Sequence, residues 1–148
     1  MRVVCDIECE RLDNPQHIWV IVCRDIDTDE VNIFRNVTEP NGTEDRRLFN
    51  NFFNMVSLLC GHNLLGYDLP ILLKNVLGTD QRLPEVIDTL VVSKLIDYSR
   101  PNGHSLESYG VEYGIPKSTF SDYSHYTKDL EERCITDTTI NLLIYNNY

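Results

Sequence analysis

The sequence predicts an α/β domain, and three observations carry that reading. Apolar, β-favouring runs near the N-terminus are separated by short polar turns, later apolar runs alternate with segments of helical period, and Gly, Pro and Asn punctuate the boundaries. The chain has 148 residues, enough to bury a substantial core, and shows no repeat, low-complexity tract or linker, so 1–148 is read as one domain.

Met1 to Ile7 reads as a buried strand, and Asp13-Asn14-Pro15 as the turn to a second strand over 17–23. Asp27-Thr28-Asp29 then leads to a third strand over 31–34, which completes an antiparallel meander. After Asn41-Gly42, residues Leu48, Phe49, Phe52, Phe53, Val56 and Leu59 recur at helical spacing. The apolar run 56–61 is a fourth strand, followed by a Gly-containing loop and a helix from Tyr67 to Val76. Val86-Ile87-Asp88 is a brief fifth strand running into a helix over Thr89 to Ile96, with Asp88 as its cap. A short helix over 105–114, a polar and aromatic loop over 122–126 and a last helix from Lys128 to Tyr145 follow.

Composition narrows the function. With 42% hydrophobic and 24% charged residues the chain is an ordinary globular protein, not a disordered one. Thirteen basic against 23 acidic residues leave a net charge of −10, which argues against a broad nucleic-acid platform held by charge alone. The five cysteines (Cys5, Cys9, Cys23, Cys60, Cys134) are scattered and form no C-x-x-C pair, so they read as reduced thiols in a cytoplasmic protein. No apolar run is long enough to span a membrane.

The residues that call for chemistry are acidic. Asp6 and Glu8 stand two apart on the first strand and therefore point to one face. Two anions side by side at the end of a buried strand repel each other unless a cation offsets them. Asp68 falls at a loop-to-helix junction, and Asp137 on the final helix.

In this order Asp6, Glu8, Asp68 and Asp137 resemble the metal ligands of the DEDD family of 3′→5′ exonucleases, which share the DnaQ-like, ribonuclease-H-like fold. Gly61-His62-Asn63, with Asp68 five residues after Asn63, looks like the family's second motif. The segments 88–96, 104–110 and Phe120-Ser121-Asp122-Tyr123 are similar to the proofreading exonuclease domains of short-tailed-phage family A DNA polymerases. The resemblance implies a mixed five-stranded sheet, strands 4 and 5 being parallel, flanked by helices. It also implies two divalent cations, Mg²⁺ or Mn²⁺, held by the four acids. Asp6 would bridge both, Glu8 and Asp137 would complete the water-activating site, and Asp68 would act on the second metal. Ile7, His62, Asn63, Leu64, Tyr67 and His125 are the candidate substrate contacts, although a strand-end histidine is more often structural.

The departure from the family lies on the last helix. Members carry a general base there, a tyrosine four residues before the final aspartate or a histidine five before it; these positions are Arg133 and Glu132. A guanidinium cannot accept a proton at physiological pH. Three readings stay open: metal-generated hydroxide assisted by Glu132 or by Tyr123, His125 or Tyr126; phosphate binding by Arg133 with reduced activity; or a module that only binds. The leading expectation is a 3′→5′ exonuclease on single-stranded DNA 3′ ends in phage replication or proofreading, with a separate DNA polymerase as a possible partner. A ribonuclease or oligonucleotide nuclease of the same fold is the alternative, since nothing in the sequence reads a 2′-hydroxyl.

Overall fold

The strand that bears two of the acids lies in the middle of the sheet, whose order is β3-β2-β1-β4-β5. β1 (Arg2–Cys9), β2 (Ile18–Asp25) and β3 (Val31–Arg35) form the expected antiparallel meander. β4 (Leu58–Gly61) joins β1 in parallel and β5 (Glu85–Asp88) joins β4 in parallel, which completes the mixed five-stranded sheet. The computed structural model describes residues 1–116 and 122–148; Phe120 and Ser121 of the sequence motif lie outside them.

Strand alternation divides β1 between two cores. Val3, Cys5, Ile7 and Cys9 enter the larger one with Ile21, Phe34, Phe49, Phe52, Leu59 and Leu72. Val4 turns the other way, toward Leu142 and Tyr145 of α5 (Lys128–Asn147), and on β2 Val20 and Val22 meet Cys134 and Ile135 of the same helix. Asp6 and Glu8 share the register of Val4, so the pleat aims both carboxylates at α5.

The helices differ from expectation in two places. α1 spans Thr43–Phe53, beginning before Leu48 and ending before Val56, and Leu59 belongs to β4. Its first turn is polar, with Glu44 and Asp45 placed where the helix dipole favours carboxylates, so no apolar stripe marks the start. Gly42 precedes it, and a Cβ there would lie 1.7 Å from the Asn36 carbonyl oxygen, so only glycine fits. The helix expected from Tyr67 begins instead at Leu64: one α-helical turn, α2 (Leu69–Leu72), is flanked by the wider π-helical segments Leu64–Asp68 and Leu73–Leu77. Such widenings are frequent at functional sites.

α3 (Thr89–Ile96) is capped by Asp88, which accepts the Leu90 N–H, and α4 (Leu106–Glu112) by Ser105, which accepts that of Ser108. α5 is capped by Thr127 and runs two residues beyond the expected end. All five cysteines are free and buried. No helix among the described residues is long and apolar enough to cross a membrane.

Candidate metal and active site

The cleft exists because β4 is short. It pairs with Arg2, Val3 and Val4 only, so the second half of β1 runs on without a neighbouring strand on that side among the described residues. Asp6 and Glu8 therefore stand beyond the carboxyl end of β4, where open α/β sheets place their ligand crevices. Asp137 comes from α5 on the facing side, one turn after Cys134, whose thiol donates to both the backbone oxygen and Oδ2 of Asp6 at 3.3 Å. One carboxylate oxygen from each of Asp6, Glu8 and Asp137 lies within 4.8 Å of the others. Asp68, supplied by the π-helical turn, lines the same cleft of about 430 Å³.

The electrostatics follow from this crowding. Burial, then the charges of Asp137, Asp68 and Glu8, push the Asp6 carboxyl well above the usual range. Asp68 is also pushed well up, first by burial and then by Glu8, with the Ile7 N–H offsetting part of the shift. Asp68 is only 4% exposed, and its Oδ2 has no hydrogen-bond partner among the described residues. A buried oxygen of this kind normally finds one. Hard oxygen donors converging on one point, with an unused buried oxygen beside them, fit a divalent cation.

Asp88 does more than cap α3. Its two oxygens also accept the Asn63 and Leu65 N–H groups at 2.9 and 3.0 Å, so one buried carboxylate fixes the loop leading to Asp68. That loop includes Asn63 in the left-handed region, with φ at 59°. A Cβ on Gly66 would lie 2.4 Å from Asn63 Oδ1, so the glycine lets the Asn63 side chain fold back over the turn. His62 is a latch: Nε2 meets the His104 carbonyl oxygen at 2.6 Å and Nδ1 meets Thr89 Oγ1 at 2.9 Å. Burial lowers its pKa, so the neutral ring donates to the carbonyl and accepts from the hydroxyl.

Of the remaining sequence candidates, Ile7, Asn63, Tyr67 and Arg133 line the cleft. Three do not. Leu64 is fully buried in the main core, because the π-helical segment begins with it and turns it inward. Glu132 is exposed and outside the cleft, since the next position on a helix is turned by about 100° and Arg133 already faces the acids. His125 is exposed, in contact with Ser124. Tyr123, weighed in the sequence only as a base, lines the cleft and accepts a hydrogen bond from Arg133 Nη1 at 2.7 Å. Sequence reasoning missed Glu10, Arg11 and Leu12, which follow β1 into the cleft mouth, as well as Leu106 and the Cys134 thiol. The only signal for the first three was their position directly after the acidic strand.

Sheet order and the placement of the helices define the ribonuclease-H-like fold of exonucleases, and the acidic cluster sits in its cleft. Three solved structures share it. A family B DNA polymerase from the hyperthermophilic archaeon Pyrobaculum calidifontis matches with a TM-score of 0.73 and 13% identity over 98% of this chain, which spans 24% of the polymerase chain. NrnC of Brucella melitensis, solved bound to pGG, matches with a TM-score of 0.70 and 17% identity, covering 98% of this chain and 70% of NrnC. Exonuclease X, solved in complex with 5′ overhanging duplex DNA, matches with a TM-score of 0.53 and 13% identity over 100% of this chain and 94% of its own. No family model matches the sequence, and no curated protein sequence matches it. At these identities the likeness is one of fold.

Proposed function

We propose that residues 1–148 form a single exonuclease domain that hydrolyses phosphodiester bonds at the 3′ ends of DNA with two divalent cations, Mg²⁺ or Mn²⁺. The observation that carries this reading is the convergence of Asp6, Glu8 and Asp137 within 4.8 Å beside the unpartnered buried oxygen of Asp68. Cations held there would supply a water acidic enough to attack near neutral pH and would offset the charge on the 3′ oxygen as it leaves.

The chain's own residues do the rest. Asp6, Glu8, Asp68 and Asp137 would hold the metals, and the cleft that would admit the terminal nucleotides is lined by Asn63, Tyr67, Tyr123 and Arg133. Tyr67, whose hydroxyl donates to the Arg11 carbonyl oxygen at 2.9 Å, offers a fixed ring for sequence-tolerant stacking. Such stacking suits an unpaired end, hence the preference for single strands. Arg133 is in no position to act as a base. Neither position at which the resemblance places the family's base carries one, and the rate should be lower, general-base help being worth roughly 10²–10⁴-fold.

Replication or proofreading in a phage, in the cytoplasm of its host and beside a DNA polymerase, is the setting that the 88–96 and 104–110 segments favour. The test is shortening of a 5′-labelled single-stranded DNA with Mg²⁺ and with Mn²⁺, against an Asp6→Ala/Glu8→Ala control. Stepwise loss from the 3′ end that vanishes in the control is expected; no shortening by folded protein with either metal overturns the reading. A ribonuclease or small-oligonucleotide nuclease is the second reading, favoured by the similarity to NrnC, which was solved with pGG. Matched DNA and RNA oligomers separate the two.

A further inference from the structure

Arg133 occupies an unusual position for a cation in a site built to hold cations. Its side chain is 18% exposed, its Nη1 is committed to Tyr123 Oη, and its Nε lies 3.8 Å from Glu8 Oε1. That separation is too long for a hydrogen bond, and Nε is buried with no acceptor among the described residues. The guanidinium thus faces the carboxylate cluster as a charge while keeping one donor unused. Tyr123 holds it there from outside the helix, with the guanidinium carbon 5.8 Å from the centre of the ring.

We propose that Arg133 is a resident counter-cation of the cluster, competing with divalent metal for Glu8 when substrate is absent and passing to a substrate phosphate when metal takes its place. The inference rests on the nuclease reading above and adds a regulation to it. Charge requires the handover. Among the described residues, the four acids and Arg133 together leave an anionic cluster, and divalent cations entering beside Glu8 repel the guanidinium across a short, poorly screened distance. Its unused Nε–H and planar donor face suit a phosphodiester oxygen, which brings the negative charge that metal and arginine together need. Metal and nucleic acid then bind with positive coupling, each strengthening the other by the same factor. A tyrosine at this position could carry neither part of the exchange.

The test is Mn²⁺ titration by calorimetry, without nucleic acid, on wild type, Arg133→Gln and Arg133→Lys, each shown by circular dichroism to be folded. Arg133→Gln is expected to bind Mn²⁺ roughly tenfold or more tightly than wild type, the size of effect that neighbours of a metal shell commonly have, and Arg133→Lys to stay near wild type. A single-stranded oligonucleotide added with Ca²⁺ should then tighten metal binding in wild type and fail to do so in Arg133→Gln. Equal Mn²⁺ affinity in wild type and Arg133→Gln overturns this inference and leaves the nuclease reading intact, as does weaker binding by Arg133→Gln. Absence of binding in all three proteins overturns the metal-dependent reading itself.

Discussion

Replacing Asp6 by asparagine should stabilise the metal-free protein while destroying the site. One oxygen from each of Asp6, Glu8 and Asp137 lies within 4.8 Å of the others. At that spacing a pair of unit charges repels by about 1 kcal/mol in the dielectric of water and about 3.5 kcal/mol at the effective value near 20 that suits protein sites. A neutral amide of the same shape removes that repulsion and much of the burial cost, and its carbonyl can still accept the Cys134 thiol. A gain of about 2 kcal/mol is expected, which for a chain of this size raises Tm by roughly 4–8 °C.

The pH dependence gives the sign. The folded protein holds the Asp6 proton more tightly than the unfolded chain does, because burial and then Asp137, Asp68 and Glu8 raise its pKa from 3.8. Stability from this group is therefore complete below that value and is lost as pH rises through the folded pKa, so the advantage of asparagine should vanish near about pH 4 and grow toward neutrality. Thermal melts by circular dichroism in EDTA check both features, and millimolar Mn²⁺ should reverse the order by stabilising only wild type. Identical melts in EDTA at neutral pH, or a difference that ignores pH, would refute the account of the cluster as self-repelling.

Three further outcomes are expected. Asp88→Ala strips acceptors from the Asn63, Leu65 and Leu90 N–H groups, so urea denaturation should show a loss of about 2–4 kcal/mol, with Asp88→Asn milder. Gly66→Ala forces the Asn63 amide out of its place and should weaken single-strand binding several-fold or more in a fluorescence titration with Ca²⁺, while moving Tm little. Burial alone would push the Glu131 carboxyl up, but hydrogen bonds from Arg35, Lys128 and Tyr126 outweigh it and hold it at about 2; its stabilisation is present above 4.5 and lost as pH falls from there through about 2. Glu131→Gln should therefore flatten the acid limb of a stability profile and cost about 1–2 kcal/mol near neutrality, a figure reduced for the exposure of Arg35 and Lys128.

What the sequence revealed follows from the range of the interactions. The strands and the meander of the first three were legible because alternation and turn residues are local, the parallel strands 4 and 5 only through the family resemblance, and Asp6 with Glu8 because the strand period alone puts them on one face. The start of α1 was hidden by a polar first turn, and its helical spacing ran on falsely into Val56 and Leu59, which belong to the connection and to β4. The π-helical turns around α2 have no pattern of their own, so Leu64 was assigned to the cleft when it fills the core. Glu132 and Arg133 are neighbours, and only the docking of α5 decides which faces the acids. The threefold use of the Asp88 carboxylate depends on residues 25 and 23 positions away, beyond any local pattern.

The placement of Asp137 on α5 also governs when the site comes into being. Asp6 and Glu8 lie on β1, whereas α5, which carries Asp137, follows every other element described above in chain order. The cluster closes only when α5 packs across β1 and β2 and brings Cys134 onto Asp6. A chain without α5 thus keeps only the two strand carboxylates and cannot assemble the three-acid cluster.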